Sequence, residues 1–300
     1  MSVKYRAVVW GIGKIYNNMY NIFSYLEALG QIEIIALTAN RLPDYQYIDG
    51  YQVVANAKLK ELQYELLIVA NEKYYREIVC DAVTLGVERS KIVPYWVFQL
   101  PHFDIWKYMQ LKNSRISIVS NNCWGGVAYH TLGLEVLSPF KNLYLEDEDY
   151  IKLLNRLKHY MECEPCFYEY QVDIHSKEKY PVILLDDIKV HFNHDKEPDE
   201  AIEKWNKKKM LINWDNLLVE MYTDNREVEA QFMTVGKYRK RICFVPYASD
   251  YRDSFRLKLM PGQHEFWEAV NGNATNGTSA FAYNLIDLLL LNESTRNRSR

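Results

Sequence analysis

The stretch Arg115-Ile-Ser-Ile-Val-Ser-Asn-Asn-Cys-Trp-Gly-Gly126 holds the residues best placed to do chemistry. Ile116, Ile118 and Val119 read as a short buried strand, which Asn121, Asn122 and Cys123 interrupt. Gly125 and Gly126 then let the backbone turn sharply into a helix expected from Val127. A strand that breaks into a polar, glycine-bearing turn and opens a helix aims backbone N–H groups at one spot. Such a spot suits an anion or a polar ligand. Cys123 is a candidate nucleophile, because a helix N-terminus lowers a thiol pKa; the favoured reading is a small filler beneath the Trp124 ring. His130 lies about 10 Å further along the helix axis, too far to act as its base.

Pro181-Val-Ile-Leu-Leu-Asp-Asp-Ile-Lys-Val-His-Phe-Asn-His194 reads as one long strand. Its residues alternate from Asp187 to His191, which places Asp187, Lys189 and His191 on one face. Asp187 and His191 would stand about 13 Å apart, too far to share one ion. His191 and His194 could converge if the chain turns at Asn193. Polar side chains of this kind would suit a hydroxyl-rich ligand such as a sugar, with His191 or Asp187 as the expected base. Asn121, Asn122 and His194 would hold hydroxyls, and Trp124 or Trp205 would stack on a sugar ring. Core packing is the other use of both tryptophans. No metal is assigned. Cys163-Glu-Pro-Cys166 has redox spacing but follows a helix instead of opening one, and it lacks the second ligand pair of a zinc site.

The elements that precede this region are strand-like and helix-like in alternation. Tyr5 to Trp10 is an apolar run, and Tyr16, Met19, Tyr20, Phe23, Leu26 and Leu29 then recur at helical steps up to a closing Gly30. Ile32 to Leu37, Glu65 to Ala70 and Lys91 to Val93 are further strands, with a helix over 74–85. This spacing predicts a Rossmann-like parallel sheet. Gly11-Ile-Gly13 after the first strand is part of a dinucleotide fingerprint, so Gly11 and Gly13 are candidate cofactor-binding residues. The third glycine is replaced by Tyr16, and Thr38-Ala-Asn40 stands where a ribose-binding acid belongs. A nucleotide or nucleotide-sugar and a tight structural turn both remain open there, and no cofactor is specified.

The expected organisation is α/β throughout: a Rossmann-like parallel-sheet domain over 1–100 and an aromatic-rich packed linker over 101–113. A second three-layer α/β domain with a mixed sheet follows over 114–300 and carries the candidate site. A helix is expected over 146–160, a loop over 271–279 and a frayed basic tail over 294–300. A net charge of −3 across 300 residues argues against nucleic acid as a partner. No apolar run approaches the ~18 residues of a membrane span, so no membrane insertion is expected. Five scattered cysteines suit a reducing cytoplasm. Oligomeric state is not legible.

Ser120-Asn-Asn-Cys-Trp-Gly-Gly126, Leu134-Glu-Val-Leu-Ser-Pro139 and Leu185-Asp-Asp-Ile-Lys-Val-His-Phe-Asn-His194 with Trp205 resemble a bacterial family of unknown function often labelled exopolysaccharide biosynthesis protein. The resemblance spans roughly residues 113 to 250, and it implies a link to cell-surface carbohydrate. The chain carries Lys207, Lys208 and Lys209 where the family tends to have arginine. Three functions follow as expectations: a transferase on a sugar or nucleotide-sugar, a non-catalytic nucleotide or nucleotide-sugar binder, and a scaffold in polysaccharide assembly.

Overall fold

The apolar run at the start forms the central strand of a parallel sheet. In the computed structural model, which describes residues 4–270 and 283–291, it is β1 (Tyr5–Trp10). After it come α1 (Lys14–Ala28), β2 (Ile32–Ala39), the pair β3 (Tyr47–Ile48) and β4 (Tyr51–Ala55), β5 (Leu66–Val69), α2 (Tyr75–Thr84) and β6 (Ile92–Pro94). The strand order is β3-β4-β2-β1-β5-β6, parallel except where β3 returns against β4. Val8, Trp10, Leu67 and Val69 pack with Ile78 and Ala82 of α2. Ala7 and Val9 point the other way and are equally buried, so both faces of the sheet are covered, as a parallel sheet requires.

The aromatic segment after β6 folds as part of this same region. Phe98 stands edge-on to Phe23 of α1 with ring centres 5.7 Å apart, and Phe103 packs on Phe98 at 5.0 Å. Helix α3 (Ile105–Asn113) follows. The chain divides into two units, Met1–Met109 and Gln110–Arg300.

The second unit runs β7 (Ser117–Ser120), α4 (Trp124–Thr131), α5 (Asp147–Asn155), α6 (Leu157–Glu162), β8 (Cys166–Val172), β9 (Lys179–Leu185), β10 (Ile188–His191), α7 (Pro198–Lys209), β11 (Leu217–Tyr222), α8 (Arg226–Thr234), β12 (Lys240–Val245), β13 (Ser254–Arg256), α9 (Phe266–Val270) and α10 (Leu285–Leu290). The α/β class holds, with parallel and antiparallel strands in separate sheets: β13-β12-β11-β7 is parallel and β10-β9-β8 antiparallel. One buried cluster joins β7, β11 and β12 to β9, β10 and α5 through α8.

Three local expectations change. Helix α4 begins at Trp124, so Gly125 and Gly126 lie inside its first turn. The helix expected over 146–160 is two, broken at Arg156 (φ −136°). The run 181–194 is a hairpin: Leu185 pairs with Ile188 across a two-residue turn whose first member, Asp186, takes φ 54°. The expected loop over 271–279 and the tail over 294–300 lie outside the described residues.

Candidate functional site

Ser120 ends β7 directly opposite Glu220 of β11, which puts both side chains on one face of the sheet. Glu220 is fully buried. The Ser120 hydroxyl donates to its Oε2, and Asn122 Nδ2 donates to Oε1 at 3.2 Å. Burial pushes the Glu220 carboxyl up to about 7, and the two donors pull against that rise. A buried acid poised there is a mark of functional sites. Sequence reasoning missed both Glu220 and Ser120. The available clue was an acid inside the apolar run Leu217-Leu-Val-Glu-Met-Tyr222.

The two asparagines brace this crossing. Asn121 Oδ1 accepts from the Tyr222 amide and Nδ2 donates to the Tyr222 carbonyl, each at 3.1 Å. Its side-chain amide thereby extends the β7–β11 ladder by one position. Asn122 Oδ1 accepts from the Trp124 amide at 2.7 Å, while Ser120 Oγ accepts from Gly125 N at 3.3 Å. Two of the amides expected to converge on a ligand, those of Trp124 and Gly125, are thus occupied by the chain's own side chains. The glycines serve packing: a Cβ on Gly125 would lie 3.0 Å from Ile118 Cγ2, and one on Gly126 2.9 Å from Asn142 Oδ1.

Cys123 and His194 meet. Cys123 Sγ lies 3.3 Å from His194 Nε2, the exposed ring of a residue 71 positions on. Burial, then the Glu220 charge, push the Cys123 thiol up to about 11. The proton therefore stays on sulfur at neutral pH, and the thiol does not have the lowered pKa expected of a helix-start nucleophile. Nor is it a filler under Trp124, because it faces the cleft.

That cleft, about 820 Å³, lies at the carboxyl ends of β7 and β11, the usual ligand position in a parallel α/β sheet. Asn121, Asn122 and Cys123 form one wall, the loop over 173–178 another, and Tyr144, Tyr180, Tyr222 and Trp267 supply rings. The Tyr144 and Tyr180 hydroxyls are 2.7 Å apart. Asp147 accepts from the Thr223 hydroxyl at 2.7 Å, and burial raises its carboxyl pKa. Five carboxylates line the cleft against two lysines.

Other expected site residues lie elsewhere. His191 is 4% exposed and stacks face-on behind Tyr144, ring centres 4.3 Å apart. Burial depresses its pKa to about 4, so it is neutral and shielded from the cleft as a base. Asp187 sits in the β9–β10 turn, accepting from the Tyr160 hydroxyl at 2.6 Å. That turn is roughly 17 Å along β9 from Tyr180. Trp205 is 1% exposed and packs edge-on to Phe140 at 5.3 Å. Trp124 is fully buried, its indole N–H donating to the Tyr283 hydroxyl at 2.8 Å. Neither indole can stack on a sugar, because neighbouring side chains cover its faces.

The first unit has its own cleft, about 750 Å³, at the carboxyl ends of β1, β2 and β5. Gly11 takes φ 122°, and a Cβ there would fall 2.6 Å from the Ala70 carbonyl oxygen. Gly13 caps α1 with no side-chain hydrogen bond and open space around it. Tyr16 is buried, its hydroxyl donating to Asp49 at 3.0 Å. Lys14, Arg41 and Lys73 line this cleft.

A family model for a domain of unknown function, DUF1919, matches residues 94–289, more than half of the chain. The chain belongs to the DUF1919 family. Residues 3–93 match a second model, C2185-like N-terminal. An uncharacterised protein of Haemophilus influenzae is similar, 27% identical over 173 residues that cover 56% of this chain and 80% of the relative. The DUF1919 match contains every residue of the second cleft. Among the described residues no helix is long and apolar enough to cross a membrane.

Proposed function

We propose that this DUF1919 chain is a transferase acting on a sugar in cell-surface polysaccharide biosynthesis, with the reacting sugar in the cleft of the second unit. The observation that carries the reading is the exposed His194 ring held at 3.3 Å from Cys123 on the wall of a cleft furnished with tyrosines, Trp267 and carboxylates. Aromatic rings bury the apolar face of a sugar while carboxylates and amides take its hydroxyls. His194 Nε2 accepts the proton of an incoming sugar hydroxyl, replacing the Cys123 thiol as its partner, and the hydroxyl oxygen becomes the nucleophile. Cys123 positions the ring, and His194 is the base in place of the expected His191 or Asp187.

The test is complementation in a bacterium whose own copy has been deleted. His194→Ala should lower surface polymer at least tenfold relative to wild type, while Cys123→Ser retains most of it. Equal polymer from His194→Ala and wild type defeats the reading.

A second reading, a non-catalytic nucleotide or nucleotide-sugar binder, draws on the uncapped start of α1 at Gly13 with Lys14, Arg41 and Lys73 around it. A thermal-shift screen of nucleotides and nucleotide-sugars tests it. Stabilisation of the wild type that Lys14→Ala removes favours this binder, and no shift with any compound counts against it.

A further inference from the structure

Away from both clefts, three dissimilar ligating groups converge. His159 stands in α6, and Cys163 follows one turn later as its C-terminal cap. Asp186 opens the β9–β10 turn. The three ligand atoms lie within 4.8 Å of one another. A single atom, His159 Nε2, faces both partners: Asp186 Oδ2 at 2.8 Å and Cys163 Sγ at 3.6 Å. The Cys163 thiol also reaches the His159 carbonyl oxygen at 3.3 Å, a bond within one helical turn; what the fold adds is Asp186, brought from the distant turn onto the same nitrogen.

We propose that His159, Cys163 and Asp186 bind one divalent transition metal of the zinc class, clamping the end of α6 to the β9–β10 turn. Tetrahedral zinc with ordinary bond lengths sets its N, S and O donors about 3.3–3.6 Å apart. The sulfur–nitrogen distance already matches, the nitrogen–oxygen pair opens by about half an ångström, and the sulfur–oxygen pair, within 4.8 Å, settles into the same range as the metal binds. On binding, the Cys163 S–H gives its proton to solvent and sulfur forms the metal bond. The thiolate and carboxylate together then neutralise a 2+ ion, with imidazole as the neutral third donor and water as the fourth. The frame is fixed before the metal arrives. Lys209 Nζ donates to the Cys163 carbonyl at 3.2 Å, and the Tyr160 hydroxyl ties Asp187 of the same turn to α6. With water in its fourth position the metal ties α6 to the hairpin whose other end supplies Tyr180 to the second unit's cleft, and the site does not depend on the transferase reading.

The experiment is a Co2+ titration of chelator-stripped full-length protein, followed by its absorption spectrum. One equivalent should raise a thiolate-to-cobalt charge-transfer band with the strong visible bands of a tetrahedral site, and Zn2+ should bleach both. Cys163→Ser should remove the charge-transfer band, and His159→Ala should weaken Co2+ binding about a hundredfold or more. Cys80→Ser should leave the spectrum intact. No charge-transfer band in the wild type, or one that survives Cys163→Ser, overturns the proposal. The wild-type titration decides it even where a variant folds poorly.

Discussion

Two strand-to-helix crossings in this molecule carry glycines in the same place and use them oppositely. At Gly11–Gly13 the first glycine lets the backbone pass the Ala70 carbonyl, and the second leaves the start of α1 open to a cleft. At Ser120–Gly126 the glycines admit Ile118 and Asn142, and Ser120 and Asn122 occupy the first amides of α4. A glycine-bearing crossing therefore has no single meaning. What decides is whether a neighbouring side chain reaches the amides first.

The contrast predicts a series of unequal effects. Gly11→Ala should cost about 3 kcal/mol or more, because a backbone oxygen blocks the new methyl and φ is unfavourable; a denaturant melt with a shift under about 1 kcal/mol would show that the first crossing relaxes freely.

The buried acid of the second crossing should show itself through pH. With its pKa raised from 4.5 to about 7, Glu220 contributes fully below the unfolded value. The contribution is lost as pH rises towards 7, by about 3 kcal/mol in total. His191, depressed to about 4, works in the opposite direction, its contribution growing as pH rises through the unfolded value near 6.5. The wild-type profile is therefore shallow. Glu220→Gln should gain about 3 kcal/mol on wild type between about pH 4 and pH 8, read from urea melts across that range. Parallel profiles for the two proteins would remove Glu220 from the argument.

Asn122→Ala should cost about 2 kcal/mol, since it uncaps Trp124 N and strips a donor from Glu220. An unchanged melt together with new phosphate binding would mean the second crossing is an anion site held closed by Asn122. The smallest effects separate the glycines themselves. Gly125→Ala should cost about 1 kcal/mol or more through its contact with Ile118, whereas Gly13→Ala meets no neighbour and should cost only the poorer N-cap, about 0.5 kcal/mol. Equal costs would erase the distinction.

Periodicity and turn residues made most of the first unit legible. Apolar runs at β1, β2 and β5, helical spacing from Tyr16, and Gly30 as a closing cap depend on neighbours in the chain. The β3–β4 hairpin was missed, although Asp49-Gly50, a turn pair suited to positive φ at 52° and 86°, signals it. The β9–β10 hairpin was harder, because a carboxylate pair between apolar runs resembles alternation within one strand.

Residue types alone determined that this chain is α/β and that the strand ending near Ser120 gives way to a helix, and they offered Cys123 and His194 as candidates. Only the tertiary structure decided that those two meet, that Glu220 is buried against Ser120 and Asn122, and that His191, Trp124 and Trp205 are shielded. Local pattern fixes which way a backbone runs. Burial and partnership across 71 or 98 positions depend on how distant strands pair, and no short stretch of sequence carries that information.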